Sequence, residues 1–274
     1  MCAPGCMEHV TSKLTRRGFF KGVGAAAAAA AAAASAPEEA AAKSFPRFSR
    51  VVDLTHPLTP EFPTFFNMPG IAMKRLKELK ADGFNMFEWT VLEHAGTHMD
   101  APLHFAADGD GPDTLPVDQL VLPLAVIDVT AKASANPDYQ VTPADLQAWE
   151  RRHGRLPDSC CVAMHAGWAR RLGTESFMGK DARDGLHFPG FHPEAADWLM
   201  QERRVRGMAV DTVSLDYGAS HDFKTHYAWL PSGRWGLEGV ASLDRVPPRG
   251  ATLIVGAPKI RGATGGPTRL LALI

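Results

Sequence analysis

The chain has 274 residues, 45% of them apolar and 22% charged, with a formal net charge of −1. That length allows one large domain or two small ones, and the composition excludes disorder, collagen and coiled coil for its bulk. With no cationic excess there is little to offer a phosphate backbone, which argues against nucleic-acid binding.

Residues 1–36 read as an address. Their charged side chains are Lys13, Arg16, Arg17 and Lys21 against Glu8, and the remainder carries 25 basic and 29 acidic side chains, an ordinary solubility charge. Thr15-Arg16-Arg17-Gly18-Phe19-Phe20-Lys21 precedes ten consecutive alanines, Ala25–Ala34. A basic stretch, a short weakly apolar run and small residues make a signal peptide. The paired arginines with Phe19 and Lys21 resemble the twin-arginine export signal. The bland alternative is an Ala-rich helical tail. The run is too short and weak to span a bilayer, so no stable membrane anchor is expected. Cleavage is expected after Ala34 or Ala36, delivery to the periplasm or beyond, and the twin-arginine export machinery, which carries folded proteins, is the implied partner. Residues 37–49 read as a flexible lead-in and 50–274 as one domain.

Strands and helices alternate through that domain. Arg50–Leu54 and Phe87–Glu93 read as strands, and Leu120–Val129 as a buried strand broken by Pro123. Thr142-Pro143-Ala144-Asp145 opens a helix, with Thr as cap and Pro at the first position, running to about His153 and stopping at Gly154. Cys161–His165 reads as a strand ending at Gly167, and Pro193–Arg204 as a helix with Trp198 and Leu199 on its apolar side. Gly207–Val210, Thr252–Val255 and Leu270–Ile274 read as later strands. Many strands with two clear helices predict an α/β domain around a mixed sheet or barrel. Cys2 and Cys6 leave with the signal, while adjacent Cys160 and Cys161 would point to opposite faces of a strand and read as small buried apolar residues.

The chemistry concentrates in His94-Ala95-Gly96-Thr97-His98-Met99-Asp100-Ala101-Pro102-Leu103-His104. On a strand these four candidate ligands would share one face. Gly96 and Pro102 argue against a helix and for a strand end running into a turn. Imidazoles with a carboxylate suit zinc, manganese or iron, and three protein ligands would leave a catalytic open position. On these residues alone His104 serves as a fourth ligand as readily as an acid/base.

The motif His-x-Gly-Thr-His-x-Asp-x-Pro-x-His resembles the signature of the metal-dependent cyclase family, which includes bacterial kynurenine formamidases and isatin hydrolases. Asp53-Leu54-Thr55-His56-Pro57-Leu58, Gly167-Trp168, Asp211-Thr212-Val213-Ser214-Leu215-Asp216, Pro258-Lys259 and Gly266-Pro267-Thr268-Arg269 are similar to further segments of that family. The resemblance implies a swivelling β/β/α fold and a divalent cofactor, Zn or Mn, as one or two ions. It implies His94, His98 and Asp100 as ligands of a first metal. Asp100, His226 and Glu238 would hold a second, and His104 would be the acid/base. By spacing alone Glu238, in Gly236-Leu237-Glu238-Gly239, is a loop charge. Phe65 lies where kynurenine formamidases have an aromatic substrate contact, commonly Trp; core packing is the competing reading for Phe62, Phe65 and Phe66. A homo-oligomer is expected. His165 and His221 read as structural histidines, and Asp211 and Asp216 as supports of strand ends or ligands.

Three functions compete. A metal hydrolase of a carbonyl C–N bond in a small amide, formamide or lactam uses every residue named. A non-heme iron oxygenase uses His98-x-Asp100 with His226, and Arg234 beside them, but leaves His94, His104 and Glu238 without a role. An exported metal-binding protein needs no proton-transfer histidine beside an open position.

Overall fold

The computed structural model describes residues 48–274. The expected signal peptide, residues 1–36, and residues 37–47 of the expected lead-in lie outside the described residues. No helix among the described residues is long and apolar enough to cross a membrane.

In chain order the strands and helices are β1 (Val51–Asp53), β2 (Ile71–Lys77), α1 (Leu79–Asp82), β3 (Met86–Val91), β4 (His98–Asp100), β5 (Val121–Asp128), α2 (Thr130–Ala135), β6 (Gln140–Val141) and α3 (Pro143–His153). They continue with β7 (Cys161–His165), β8 (Gly190–Phe191), α4 (Pro193–Arg203), β9 (Gly207–Val210), α5 (Lys224–Trp229), β10 (Trp235–Glu238), β11 (Ala251–Gly256), β12 (Gly265–Pro267) and β13 (Arg269–Leu273). Nine strands form one mixed sheet in the order β1-β13-β11-β5-β7-β9-β10-β4-β12. Its centre, β5-β7-β9-β10, is parallel, and the flanks are antiparallel. Strands β12 and β13 are consecutive in the chain, separated only by Thr268, yet they pair near opposite ends of that order. The sheet therefore curls until its two edges are served by one run of chain. Leu54 O accepting from Ala241 N (2.9 Å) and the Thr55–Val240 bridge close the seam. This is the expected α/β architecture around a curled mixed sheet.

Alternation along the strands divides two cores. Leu122, Leu124, Cys161, Ala163, Ala209, Met99 and Leu237 share one apolar cluster with residues from the flanking strands. Ala125, Ile127, Val162, Met164, Met208 and Val210 face the other way, against Leu146 and Trp149 of α3 and Ala195, Ala196 and Leu199 of α4. Cys160 and Cys161 fall in different cores, both fully buried and unpaired. Burial pushes the Cys160 thiol up to about 12, so neither cysteine is a nucleophile at neutral pH.

Both expected helices are present, and three short ones, α1, α2 and α5, were missed because four to six residues carry no periodic pattern. Strand β5 runs through Pro123 rather than breaking there. Pro123 opposes only Thr252 of β11, and pairing with β7 begins at Leu124, so the absent N–H leaves no ladder bond unmade. The strand expected at Phe87–Glu93 ends at Val91. Glu238, expected in a loop, lies on strand β10.

Helix α3 is anchored by Asp145. Its Oδ2 accepts from Thr142 N (2.8 Å), Thr142 Oγ1 (2.8 Å) and Tyr139 Oη (2.7 Å), while Lys132 Nζ binds Oδ1. Burial opposes ionisation, yet Lys132 and these donors hold the carboxyl below its ordinary value. Asp145→Asn should cost about 2 kcal/mol at neutral pH, as expected for a lost cap with buried partners. Because the folded-state pKa is depressed, the contribution is complete above the unfolded value of about 4 and vanishes as pH falls through the folded value. Urea melts of both proteins from pH 7 to pH 3 should show the gap narrow once the pH falls below about 4.

Candidate metal centre

Strands β4 and β10 build the floor. With Met99 and Leu237 turned into one core, His98, Asp100 and Glu238 emerge on the opposite face, and His98 lies directly across from Glu238 in the antiparallel register. Asp100 has glycine on both sides, Gly236 of β10 and Gly265 of β12. A Cβ on Gly265 would meet His94 Cε1 at 2.7 Å, and one on Gly236 would meet Leu215 Cδ1 at 2.7 Å. These two gaps let side chains from elsewhere crowd around Asp100. His94 reaches in from the preceding loop, which turns at Gly96 with φ +68°, and His226 descends from α5.

Each imidazole is oriented by a partner behind it. His98 Nδ1–H donates to Gly96 O (3.0 Å), so Nε2 faces Asp100 Oδ1 (3.4 Å) and Glu238 Oε2 (3.3 Å). His226 Nδ1–H donates to Asp216 Oδ2 (2.6 Å), so Nε2 faces Glu238 Oε1 (3.2 Å) and Asp100 Oδ2 (3.5 Å). Asp216 also accepts from Thr225 N (2.9 Å) and His226 N (3.2 Å), fixing the start of α5. Thr264 Oγ1 donates to Glu93 Oε2 (2.5 Å) and accepts from His94 Nε2 (2.9 Å), which turns His94 Nδ1 towards Asp100 Oδ1 (2.6 Å). Three imidazole lone pairs are thus aimed at two carboxylates.

That arrangement fits a cation. Asp100 is 1% exposed, and the buried atoms His98 Nε2 and Asp100 Oδ2 have no hydrogen-bond partner. Without a metal, protons must fill the gap. Burial lowers the His98 pKa, but the Asp100 and Glu238 carboxylates outweigh it and push it up to about 10. The same contest raises His226 well above its ordinary value, and the three imidazoles hold Asp100 well below its own against burial. A divalent ion would replace those protons. Ligand atoms of His98, Asp100 and Glu238 lie within 4.8 Å of one another, as do those of His94, Asp100 and His104, and Asp100 belongs to both groups.

His104 follows Pro102 in a 3-10 turn, and its ring stacks on His94 with centroids 3.7 Å apart. Burial first, then the His94 and His226 charges, pull its pKa down to about 4 against Asp100 and Glu238. Its imidazole is neutral at pH 7, and no group among the described residues hydrogen-bonds either ring nitrogen.

The cluster floors a cavity of about 240 Å³ walled by Phe65, Phe66, Phe105, Phe223, Val213 and Ser214. Phe65 is half-buried there and stacks edge-on with Phe66 and Phe223. Phe62 lies in the core against Phe177. Phe223 adopts a left-handed conformation (φ +47°), rare for a bulky residue, and this places its ring over His226. Sequence reasoning missed Phe105, Phe223, Thr264 and Glu93. The first two carry no signal beyond lying one residue after His104 and three before His226. His165 binds Asp211, whose carboxylate also takes Ala166 N and Trp168 N; neither His165 nor His221 lines the cavity. Arg234 donates to Val205 O and Ser232, and does not line the cavity as the oxygenase reading needs.

Residues 52–217 match the Cyclase family model. The chain is 34% identical over 241 residues to isatin hydrolase of Roseibium aggregatum, covering 82% of this chain and 91% of that protein. It is 31% identical over 176 residues to kynurenine formamidase of Salinibacter ruber, covering 64% and 74%. Its fold is similar to the solved structure of isatin hydrolase A from Ralstonia solanacearum, with a TM-score of 0.77, 37% identity, and coverage of 82% of this chain and 92% of that one. The chain belongs to the cyclase family and is a metal-dependent hydrolase.

Thr264 and Glu93 act on the centre only through His94. Thr264→Val should weaken divalent-metal binding about 10- to 100-fold, the usual effect of losing a ligand's supporting partner, and Thr264→Ser should restore it. Chelator competition measures this without reference to turnover. Binding should also release protons, and affinity should fall as pH is lowered, because His98 must give up its proton to the incoming ion.

Proposed function

We propose that this member of the cyclase family hydrolyses the amide bond of a compact lactam fused to an aromatic ring, with an aryl formamide as the next substrate class. The observation that carries the reading is the joining of a buried three-imidazole, two-carboxylate cluster to an aromatic-walled cavity. Its volume lies below the ~300–1,000 Å³ of drug-sized sites, which suits a one- or two-ring substrate. The likeness to isatin hydrolase over most of the chain supports a cyclic amide.

We assign His94, His98 and Asp100 as the ligands of a divalent ion. His226 and Glu238 complete a second position that would share Asp100. Nitrogen and carboxylate donors without thiolate suit Zn or Mn. A bound dication supplies Lewis acidity to the substrate carbonyl and lowers the pKa of a coordinated water.

The remaining work falls to side chains of this chain. Phe65, Phe66, Phe105 and Phe223 bind the aromatic ring and exclude water. His104, neutral and without a protein partner, accepts a proton on a ring nitrogen as water adds to the carbonyl carbon. That carbonyl becomes tetrahedral, and the C–N bond then breaks as His104 returns the proton to the departing nitrogen. Opening of the lactam gives one molecule bearing a carboxylic acid and an aryl amine, the acid then loses its proton to solvent, and His104 ends neutral as it began. An acid/base of this kind contributes roughly 10²–10⁴ in rate.

His104→Ala should therefore retain its metal and lose about 10²-fold or more in kcat. The loss should be smaller for activated aryl esters, whose leaving groups need no protonation. Metal analysis alongside lactam turnover checks both. Loss of metal in proportion to activity would instead make His104 a ligand, and an aryl formamide outpacing every lactam would reverse the order of substrates.

We also propose that residues 1–36 export the folded domain, residues 50–274, to the periplasm by the twin-arginine route, and that the enzyme self-associates. Replacing Arg16 and Arg17 together by Lys should leave the protein in the cytoplasm on fractionation, because the pair is read by a receptor rather than by charge.

A further inference from the structure

The cavity over the metal centre has phenylalanines and Val213 for walls and titratable side chains for a floor. Ser214 is the one lining residue, among the described residues, that is neither apolar nor titratable. It is 5% exposed, and its hydroxyl makes no hydrogen bond with any of the described residues. A buried polar group without a partner is uncommon, because leaving it so is costly. Here the group belongs to the lining, so the partner it lacks is a molecule in the cavity.

The backbone holds that hydroxyl in place. Ser214 lies in the run Asp211–Asp216 that follows β9. Thr212 O accepts from Gly239 N (2.8 Å), and Thr212 Oγ1 donates to Ser214 O (3.2 Å). Leu215 N donates to Glu238 Oε1 (2.8 Å), and Leu215 O accepts from Phe191 N (2.8 Å). Both neighbours in the chain are thus anchored, and the hydroxyl keeps little freedom beyond rotation about χ1. Leu215 ties it to Glu238, whereas His104 rests on His94 with ring centroids 3.7 Å apart.

An amide brings two polar groups into the site. Its carbonyl oxygen belongs with the cation, and its N–H needs an acceptor with a free lone pair. The inward oxygens of Asp100 and Glu238 face the imidazoles across the cation site. His104 must keep its lone pair for the attacking water. The hydroxyl of Ser214, with two lone pairs, is the acceptor that remains.

We propose that Ser214 Oγ accepts the N–H of the scissile amide, and so selects a lactam that carries this N–H over a lactone of the same shape. The proposal rests on the lactam reading above and adds to it the residue that tells nitrogen from oxygen. After water has added, the nitrogen carries one N–H and one lone pair. Holding the N–H at Ser214 leaves the lone pair for His104, which delivers its proton there. Ser214 neither loses nor gains a proton.

Two proteins and two substrates test this. Wild type and Ser214→Ala, both metal-loaded, are assayed on a benzo-fused lactam and on the benzo-fused lactone of equal ring size. Ser214→Ala should lose about 10- to 100-fold in kcat/KM on the lactam, the scale of a buried polar group left without its partner, and under about threefold on the lactone. Comparing the proteins on each substrate cancels the greater intrinsic reactivity of the lactone. Binding supplies a second readout. By calorimetry, the Kd of a hydrolysis-resistant fused lactam should rise about 10-fold in Ser214→Ala at unchanged metal content. Equal losses on both substrates, or no loss on the lactam, would overturn the role of Ser214 and leave the lactam reading standing. A wild type that hydrolyses the lactone but not the lactam would overturn that reading and the role of Ser214 with it. Should Ser214→Ala fail to fold, Ser214→Cys takes its place; its sulfur is a weak acceptor, and it should show the same selective loss.

Discussion

The constraint on which the site depends is the burial of Asp100 among three imidazoles. A carboxylate 1% exposed is tolerable only when opposite charge or hydrogen-bond donors surround it. The fold meets that demand by subtraction. Glycines stand on both neighbouring strands, so His94 and Leu215 can approach where side chains would otherwise stand. The acceptors behind the imidazoles, Gly96 O, Asp216 and the Thr264–Glu93 pair, then decide which nitrogen faces inward. The centre is specified as much by these partners as by its ligands.

The curled sheet explains why candidate ligands so far apart in sequence meet. Strand alternation puts His98 and Asp100 on one face of β4 and Glu238 on the same face of β10, because the two strands pair in register. Strand β12 lies on the other side of β4 and is continuous with β13 at the opposite flank, so closing the sheet brings Thr264 beside Glu93 and His94. The strands that close the sheet are thus the strands that carry the site, with the seam held by Ala241 N donating to Leu54 O.

The parts legible in the sequence were those with a strong local signal. Cys161–His165 and Gly207–Val210 are unbroken apolar runs, and they appear as strands with those bounds. Thr142 with Pro143 and Asp145 announces α3, and the helix begins there. The eleven-residue motif placed His94, His98, Asp100 and His104 in one region, although only His98 and Asp100 are on a strand. Strands β4, β10 and β12, of three or four residues, are too short for any period to show, and their pairing partners come from distant segments. Glu238 looked like a loop charge because a single acid between Leu237 and Gly239 carries no mark of the histidine opposite it. Phe105 and Phe223 were invisible for a different reason. An aromatic side chain lining a cavity has the same local pattern as one filling a core, and only tertiary packing separates them.

The positions of those aromatics divide the labour of the site. Three of the polar groups of the floor, His98, Asp100 and Glu238, stand on strands of the sheet, and the apolar groups form walls borne by turns and by Phe223 just before α5. A floor on strands holds its donors in fixed directions, as a cation requires. Walls on turns can differ between relatives without disturbing that floor, which makes them the place where one amide is told from another. Phe223 shows the strain this arrangement stores. Its left-handed backbone costs about 1–2 kcal/mol, and the ring it positions packs between the wall at Phe65 and the imidazole of His226. The same residue immediately precedes α5, so the conformation that shapes the cavity also sets the direction from which His226 enters the cluster. Substrate fit and metal geometry are joined at that one backbone position, and a change that relaxed it would be felt in both.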